Sequence, residues 1–294
     1  MNRSFCATIG LGLGLALAPV VATAQTIPRE IPATGQPSPA PVPQPSSSPS
    51  SLFPALGTND PCTSISAIVT RPTVSNSICT VRPNHVLVET RYQNVTSAGG
   101  GNTVGYPQTL VRVGTNVPAL EFDLAPPSLM RTNTGSATLG TTDVGAGLKY
   151  VFGYTPRFSY GGQVFVTAPT GLNGFSADGP QTTYGLQASY ALSPAFSLGG
   201  VAQFAALTNG ATRWSSVIPS LVLSATLPGS TGLFGEIAQF SHATGPSTPT
   251  RTQYILGAYH DAGQQIQLDA SIGISPTVST GRYHYLGFGL SYYR

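Results

Sequence analysis

From Asn84 to Arg294 the chain alternates apolar residues with small or polar residues, and this alternation constrains the fold more than any other feature. It divides into about twelve segments of roughly ten residues, the length of a tilted β-strand that crosses a bilayer. Successive side chains of a strand point to opposite faces, so each segment has two chemically different faces. The pattern predicts an all-β fold in which about twelve strands form one antiparallel sheet.

The chemistry of the two faces indicates which side meets water. Only 8% of the residues are charged, whereas an average globular protein has about 25%. One face of the segments is aliphatic and aromatic, and the other holds the charges, the amides and many glycines. A soluble β-sandwich or lipocalin-like barrel needs charge on its outer face. The inverted arrangement therefore favours a barrel whose outside meets lipid.

The connections between the segments alternate in length. Long connections such as TSAGGGNTVGY, PPSLMRTNTGSATLGTT and PTGLNGFSADGPQ follow odd-numbered segments, and short links such as YTP and SP follow even-numbered ones. The connection TNGA is the one short link after an odd segment. Outer-membrane barrels have short periplasmic turns, longer outside loops and an even number of strands. The sequence predicts an antiparallel up-and-down transmembrane β-barrel of about twelve strands. The start of its first strand and the end of its last strand both lie on the periplasmic side.

Lys149, the only lysine of the chain, lies in the segment TTDVGAGLKYVFG. On the lipid face near the midplane a lysine would cost about 2–4 kcal/mol, whereas a water-filled lumen accepts it. The period of two therefore places Lys149 inside, where Glu121 or Asp123 on the neighbouring strand is the expected partner. In a watered lumen such a pair is worth at most about 1 kcal/mol.

The same period of two assigns a set of polar residues to the lumen. Their opposite charges are compatible both with an open pore and with a lumen that ion pairs close. The lumen-lining candidates are Glu89, Arg91, Arg112, Glu121, Asp123, Asp143, Lys149, Arg157, Gln163, Gln187, Gln203, Glu236, Gln267 and Asp269.

The N-terminal part of the chain divides into a targeting segment and a spacer. Residues 1–24 have a basic start, an apolar run of about 13 residues and a small-residue end, which predict a signal peptide that is cleaved after Ala24. The apolar run is shorter than the roughly 20 residues that span a membrane. Residues 25–60 are rich in proline and serine and are expected to form a flexible periplasmic spacer, with docking on a proline-reading partner as the alternative.

Residues 61–83 form a pre-barrel segment that contains Cys62 and Cys79. Export places these two residues in an oxidising compartment, so a disulfide is predicted. It would restrict the unfolded chain by about 3 kcal/mol in the entropy model. A zinc site is the rival interpretation, but two thiols with no nearby histidine make a poor one. Residues 84–294 are then the barrel.

Several stretches of the sequence carry a family pattern. The stretches RPTVSNSICTVRPNHVLVETRYQ, YPQTLVRVGTNVPALEFDLAP, TDVGAGLKYVFG and VFVTAPTG together resemble the transporter, or MetA-pathway of phenol degradation, family of outer-membrane proteins. Thr142 stands where that family usually has glycine. The resemblance implies a barrel that helps small, often aromatic, compounds cross the outer membrane. The matching positions are Pro83, Asn84, His85, Arg112, Glu121, Asp143, Val144, Gly147, Leu148, Lys149 and Tyr150.

Catalytic and cofactor motifs are not apparent in the sequence. The histidines lie near predicted strand ends, where they suit a membrane interface. The stretch GFSADG lacks the spacing of a serine elbow, and DVGAG is not followed by the helix of a dinucleotide site. Glu121 and Asp123 share one face and could bind a cation, but ion pairs with arginines are the favoured interpretation. The sequence predicts no enzyme, no cofactor and no metal site.

Three functions are compatible with these sequence features. The favoured one is passage or uptake of small hydrophobic or aromatic solutes, followed by a closed structural barrel and then by an outer-membrane hydrolase. The expected partners are outer-membrane lipid, such a solute and the barrel assembly machinery, and the oligomeric state stays open. Nucleic acid is excluded as a partner because the net charge of +3 comes from scattered arginines.

The predicted barrel should show heat-dependent mobility on a denaturing gel. A folded barrel resists detergent at room temperature, so unheated and boiled samples are expected to run at different positions. Solubility of the folded protein without detergent, or a strongly helical circular dichroism spectrum, would contradict the barrel. Outer-membrane barrels usually end in an aromatic residue, whereas this chain ends in SYYR. Arg294 is therefore expected to reduce the efficiency of membrane insertion without abolishing it.

Overall fold

The structure is a computed structural model that describes residues 60–70, 72–97, 100–133, 137–172, 174–276 and 282–294. The predicted signal peptide and the predicted spacer up to residue 59 lie outside the described residues. The described part of the chain contains one short helix, α1 (Ile65–Ile68), and fourteen strands. Within these ranges, no helix is long and apolar enough to cross a membrane.

Strands occupy most of the chain after residue 85. Their bounds are β1 (Val86–Ser97), β2 (Asn102–Gly114), β3 (Leu120–Ala125), β4 (Leu129–Asn133), β5 (Ala137–Thr141), β6 (Val144–Tyr154), β7 (Phe158–Ala168), β8 (Gln181–Ala191), β9 (Phe196–Thr208), β10 (Arg213–Leu227), β11 (Thr231–Phe240), β12 (Arg251–Asp261), β13 (Ile266–Ser275) and β14 (Tyr283–Tyr293).

Twelve strands close into an antiparallel barrel, and two more extend it. Consecutive strands pair from β6 to β14, β14 pairs with β1, and β1, β2, β3 and β6 complete the ring. The hairpin of β4 and β5 continues the register of β3 and β6, since Leu120 faces Tyr150 and Leu129 faces Thr141. The predicted up-and-down barrel of about twelve strands is confirmed.

A pair of prolines separates β3 from β4. Pro126 and Pro127 have no backbone N–H, so they interrupt the ladder after Ala125. Pairing resumes at once, because Ser128 N donates to Thr142 Oγ1 at 2.8 Å and Thr142 N donates to Ser128 O at 3.0 Å. The stretch PPSLMRTNTGSATLGTT, which the sequence predicts as a loop, is therefore mostly a β-hairpin.

The first connection is also shorter than predicted. β1 reaches Ser97 and β2 begins at Asn102, so strand residues occupy much of the predicted loop TSAGGGNTVGY. The turn is closed by Ser97 N, which donates to Gly101 O at 2.8 Å. The alternating residues on both sides of the turn explain why the ladder continues through it.

The short and long connections lie at opposite ends of the barrel, as its up-and-down topology requires. We call these the short-turn end and the long-loop end. The barrel's first and last strands meet at the short-turn end, where Val86 N donates to Arg294 O at 2.7 Å and Arg294 N donates to Val86 O at 2.9 Å. Residues 61–83 join the barrel at this end, because they immediately precede β1.

The outer face of the barrel is apolar. Leu186 and Ile272, for example, keep 60% and 58% of their surface exposed, although both are large aliphatic residues. A band of such side chains suits contact with lipid and not with water. Large apolar residues exposed on the outer face include Val166, Leu186, Tyr190, Phe196, Phe204, Leu268, Ile272, Phe288 and Leu290.

Large inward side chains lie flat against glycines of the neighbouring strand. The Phe234 ring occupies the place that a Cβ on Gly257 would take, and the Tyr285 ring does the same at Gly273. Glycine thus lets each ring lie along the wall instead of projecting into the lumen. This arrangement explains why the inner face is rich in glycine, and it leaves space in the centre of the barrel.

Gly257→Ala is expected to destabilise the barrel by about 1–3 kcal/mol, the usual effect of overpacking. The new methyl group would collide with the Phe234 ring and lie 2.7 Å from Ala270 O. Gly235→Ala is the matched control, since a Cβ there approaches only Leu256 Cδ2, at 3.3 Å. Urea unfolding in detergent micelles measures both variants, and equal stabilities would contradict the close packing at Gly257.

Candidate functional site in the barrel lumen

The described part of residues 61–83, which we call the plug, lies inside the barrel. Val74 packs against inward-facing residues of β10, β11 and β12, including Val222, Phe234 and Ile255. Other plug residues bind side chains on the inner face of β1, β2, β3 and β6. The pre-barrel segment with its two cysteines therefore fills much of the lumen.

The plug has a small apolar core of its own. Cys62 and Cys79 are joined by a disulfide, with Cα atoms 5.2 Å apart. Ile65, Ile68 and Ile78 pack around this bond and are almost completely buried. Ser64 caps α1 by accepting a hydrogen bond from Ala67 N at 3.2 Å. The disulfide and α1 form the base of the plug, next to the short-turn end.

Arg112 on β2 joins the wall to the base of the plug, and its side chain is completely buried. On the wall, Arg112 Nη1 lies 2.9 Å from Glu89 Oε1, and Arg112 Nε lies 2.9 Å from Glu121 Oε1. Toward the plug, the guanidinium donates to Ile68 O at 2.5 Å and to Cys79 O at 2.7 Å. One cation thus connects β1, β2, β3 and the plug.

Lys149 on β6 adds a second cation to the same cluster. Its ammonium lies 2.9 Å from Glu121 Oε1, and the two residues face each other directly in the β3–β6 register. It also donates to Ser77 O at 3.0 Å and to Cys79 O at 3.3 Å. Glu121 is one of the two partners that the sequence predicts, but the expected watered lumen is wrong here. The plug covers Lys149 and leaves 2% of its surface exposed.

The wall carboxylates bind backbone N–H groups of the plug. Both oxygens of Glu89 accept from Thr70 N at 3.2 Å, and Glu121 accepts from Val81 N at 2.6 Å. Because the plug is largely irregular, its backbone lacks the partners that a sheet or helix would supply. The charges of the wall take the place of those partners.

Residues 72–76 form the tip of the plug, which is attached separately from the base. Glu236 on β11 accepts from Val74 N at 2.8 Å and from Ser75 N at 2.5 Å. Arg91 on β1 donates to Pro72 O at 3.0 Å, and the Ser75 and Ser220 hydroxyls are 2.6 Å apart. The tip therefore rests on one carboxylate, one guanidinium and the apolar contacts of Val74.

The other lumen candidates fall into two groups. Asp123, Gln187, Gln203, Gln267 and Asp269 are buried on inward positions of the wall. Gln163 is half-buried and faces Lys149 across the β6–β7 register. These positions agree with the period of two, because the strands run without interruption through them.

Arg157 and Asp143 do not line the central lumen. Arg157 lies in the turn that follows Pro156, outside the strands, and it is exposed at the short-turn end. Asp143 precedes β6 at the long-loop end, where it accepts from Gly171 N at 2.8 Å and from Ala177 N at 2.9 Å. It therefore anchors the loop between β7 and β8 to the barrel rim.

The cation site that Glu121 and Asp123 could have formed is taken by basic side chains. Asp123 Oδ1 lies 3.8 Å from Arg112 Nε, and Glu121 binds both Arg112 and Lys149. Within the part of the chain that the structure describes, no group of three or more His, Cys, Asp or Glu residues is placed to hold a metal ion.

Sequence reasoning did not identify the plug as part of this site. The wall side chains bind backbone groups of the plug at Ile68, Thr70, Val74 and Ser75. The pattern of side chains in the sequence carries no information about such backbone contacts. The available signal was the cysteine pair directly before β1, combined with the concentration of wall charges on β1, β2, β3 and β6. Together these features agree with a chain segment inside the lumen that is bound by charged side chains of the wall, although they do not specify it.

A cavity remains between the plug and the opposite side of the wall. It has a volume of about 160 Å³ and is lined by plug residues and by inward-facing residues of β8 to β13, among them Ser197, Val222, Ser224 and Tyr259. Arg112 and Lys149 lie on the other side of the plug. The lumen is thus divided into a charged side, which holds the plug, and a side with free space.

No family model and no curated protein matches this sequence. Among solved structures, the fold is similar to the COG4313 outer membrane channel from Pseudomonas putida F1, with a TM-score of 0.55, 15% identity, and coverage of 76% of this chain and 100% of that chain. A KdgM porin has a TM-score of 0.46, 10% identity and coverage of 69% and 98%. The CymD monoaromatic hydrocarbon channel has a TM-score of 0.42, 8% identity and coverage of 72% and 88%.

At these identities the similarity concerns the fold alone. The COG4313 channel is matched over its whole length, and the part of this chain that it matches is large enough to contain the barrel. This chain therefore shares its barrel fold with an outer-membrane channel.

Arg112→Met is expected to destabilise the folded protein by about 3–5 kcal/mol, because it removes the buried cation that Glu89 and Glu121 share. Arg157→Met is the matched control, since this arginine is exposed in a turn and its loss should change stability by less than about 0.5 kcal/mol. Unfolding by urea in detergent gives both values. Equal effects of the two substitutions would contradict the role of Arg112 in holding the plug.

Proposed function

We propose that this chain is an outer-membrane channel for small hydrophobic or aromatic solutes, and that residues 61–83 are its internal plug. The observation that carries this proposal is the division of the lumen. A disulfide-closed segment is fixed to the charged side, and a cavity of about 160 Å³ lies beside it. A passage through a space of this volume would exclude large solutes and admit small ones.

Several features support the outer membrane as the location. The band of exposed apolar side chains suits contact with lipid. Export would begin with the signal peptide of residues 1–24, and residues 25–60 would form a spacer in the periplasm. Membrane lipid and the barrel assembly machinery are then necessary partners. The resemblance to the MetA-pathway transporter family supports small aromatic compounds as the solutes.

The plug would restrict the passage mainly through its tip. The base is held by the disulfide, by Arg112 and by Lys149, all of which are buried. The tip residues Pro72, Thr73 and Ser75 line the cavity, and Val74 packs against Ile218 and Phe240 toward the long-loop end. Because Glu236 holds two N–H groups of the tip, a small displacement at this carboxylate would widen the passage while the base stays in place.

The plug also supports a second function, a closed structural barrel without transport. In that case the buried ion pairs would stabilise a solid lumen, and the tip would not move. The two functions differ in whether solutes cross the folded barrel, which can be measured directly.

Glu236→Gln is expected to increase the entry of small uncharged solutes into proteoliposomes several-fold, because it weakens the attachment of the tip. Asp178→Asn is the control, since this carboxylate is exposed in a loop at the long-loop end. It should behave like the wild type, which should admit small solutes and exclude large ones. If neither the wild type nor Glu236→Gln passes any solute, the channel proposal fails and the closed barrel is favoured.

A further inference from the structure

The cavity beside the plug has the dimensions of a site for a single small ring. It lies near the short-turn end, since Ser197 is the second residue of β9 and Gln267 the second residue of β13. Its volume of about 160 Å³ is close to the roughly 150 Å³ of an engineered protein cavity that binds benzene. A bicyclic molecule would exceed this space.

The walls of the cavity differ in polarity. Val222, Phe234 and Tyr259 supply an apolar surface from β10, β11 and β12. Ser197 and Ser224 also line the cavity and face each other across the β9–β10 register, so their hydroxyls lie side by side on the wall. The plug adds further polar groups to the lining, among them Thr73, Asn76 and Ser77. Such a cavity suits a molecule with one apolar face and at least one group that forms hydrogen bonds.

Charge is concentrated away from this cavity. Among the described residues that line it, none is acidic or basic. The nearby Glu236 carboxylate is already used by Val74 N and Ser75 N. A charged molecule would lose its hydration here without gaining a counter-charge, and this loss is far larger than for a neutral molecule.

We propose that this cavity is a binding site for an uncharged molecule with a single ring and at least one hydroxyl group. The inference rests on the proposed function, for which it names the position and the chemical class of the solute. Val222, Phe234 and Tyr259 would contact the ring, and Ser197 and Ser224 would bind its hydroxyl group. The tip of the plug would separate the bound molecule from the long-loop end.

Binding is tested on the purified full-length barrel in detergent micelles by isothermal titration calorimetry, with benzyl alcohol as the probe. Benzoate tests charge, since it has the same ring with a carboxylate, and naphthalenemethanol tests size. Benzyl alcohol is expected to bind saturably. Benzoate and naphthalenemethanol are expected to bind at least about tenfold more weakly, a difference of about 1.4 kcal/mol.

Ser224→Leu is expected to weaken the binding of benzyl alcohol at least about tenfold, because it removes a hydroxyl and fills the cavity. Ser215→Leu is the matched control, since Ser215 lies on the same strand at an outward, exposed position, and it should bind like the wild type. Heat-dependent gel mobility shows whether each variant is folded. If Ser224→Leu does not fold, Ser224→Ala removes the hydroxyl alone and should still weaken binding.

The site is overturned if benzyl alcohol does not bind saturably, if benzoate binds equally well, or if Ser224→Leu and Ser215→Leu bind alike. The calorimetric measurement needs no membrane and no transport, so it separates the two proposals. Solute entry into liposomes without specific binding would contradict the site alone. Saturable binding without solute entry would contradict the channel and leave the site in place.

Discussion

The buried guanidinium of Arg112 is the interaction on which the rest of the structure depends. A buried cation is tolerated only when it is fully paired, and Arg112 meets Glu89 and Glu121 on the wall and two carbonyls of the plug. Removal of the plug would leave the guanidinium with unused donors, and loss of Arg112 would remove the cation that Glu89 and Glu121 share. The wall and the plug therefore require each other.

This dependence explains how a chain with few charges uses them. The outer face is apolar because it meets lipid, and the charges that bind the plug backbone lie on strands β1, β2, β3, β6 and β11. Glycines such as Gly257 and Gly273 keep the aromatic rings flat against the wall, so that the plug and a cavity fit within the same barrel. Fixed charges hold the base of the plug on one side of the lumen, and a cavity is left on the other side.

The sequence predicts the barrel well because the relevant pattern is local. A period of two identifies the inward face of each strand, and neighbouring strands in a meander bring Lys149 close to Glu121 or Asp123. The register of the structure selects Glu121 as the residue that faces Lys149. Arg157 was misplaced because it lies in the turn between β6 and β7, one residue before β7 begins at Phe158. The plug could not be predicted, since it is joined to the wall by backbone groups that lie far from their partners in sequence. An example is Val74 N, which binds Glu236. Side-chain alternation contains no signal for such contacts.

The position of the plug inside the barrel is tested most directly by a cross-link between its tip and the wall. The hydroxyls of Ser75 and Ser220 are 2.6 Å apart although the residues are 145 positions apart in the chain. In the double variant Ser75→Cys and Ser220→Cys, mild oxidation of the membrane-folded protein should join these two positions. Mass mapping of the non-reduced digest should then show that link beside the one between Cys62 and Cys79. Free thiols at positions 75 and 220 in the folded, oxidised protein would contradict a plug held within the lumen.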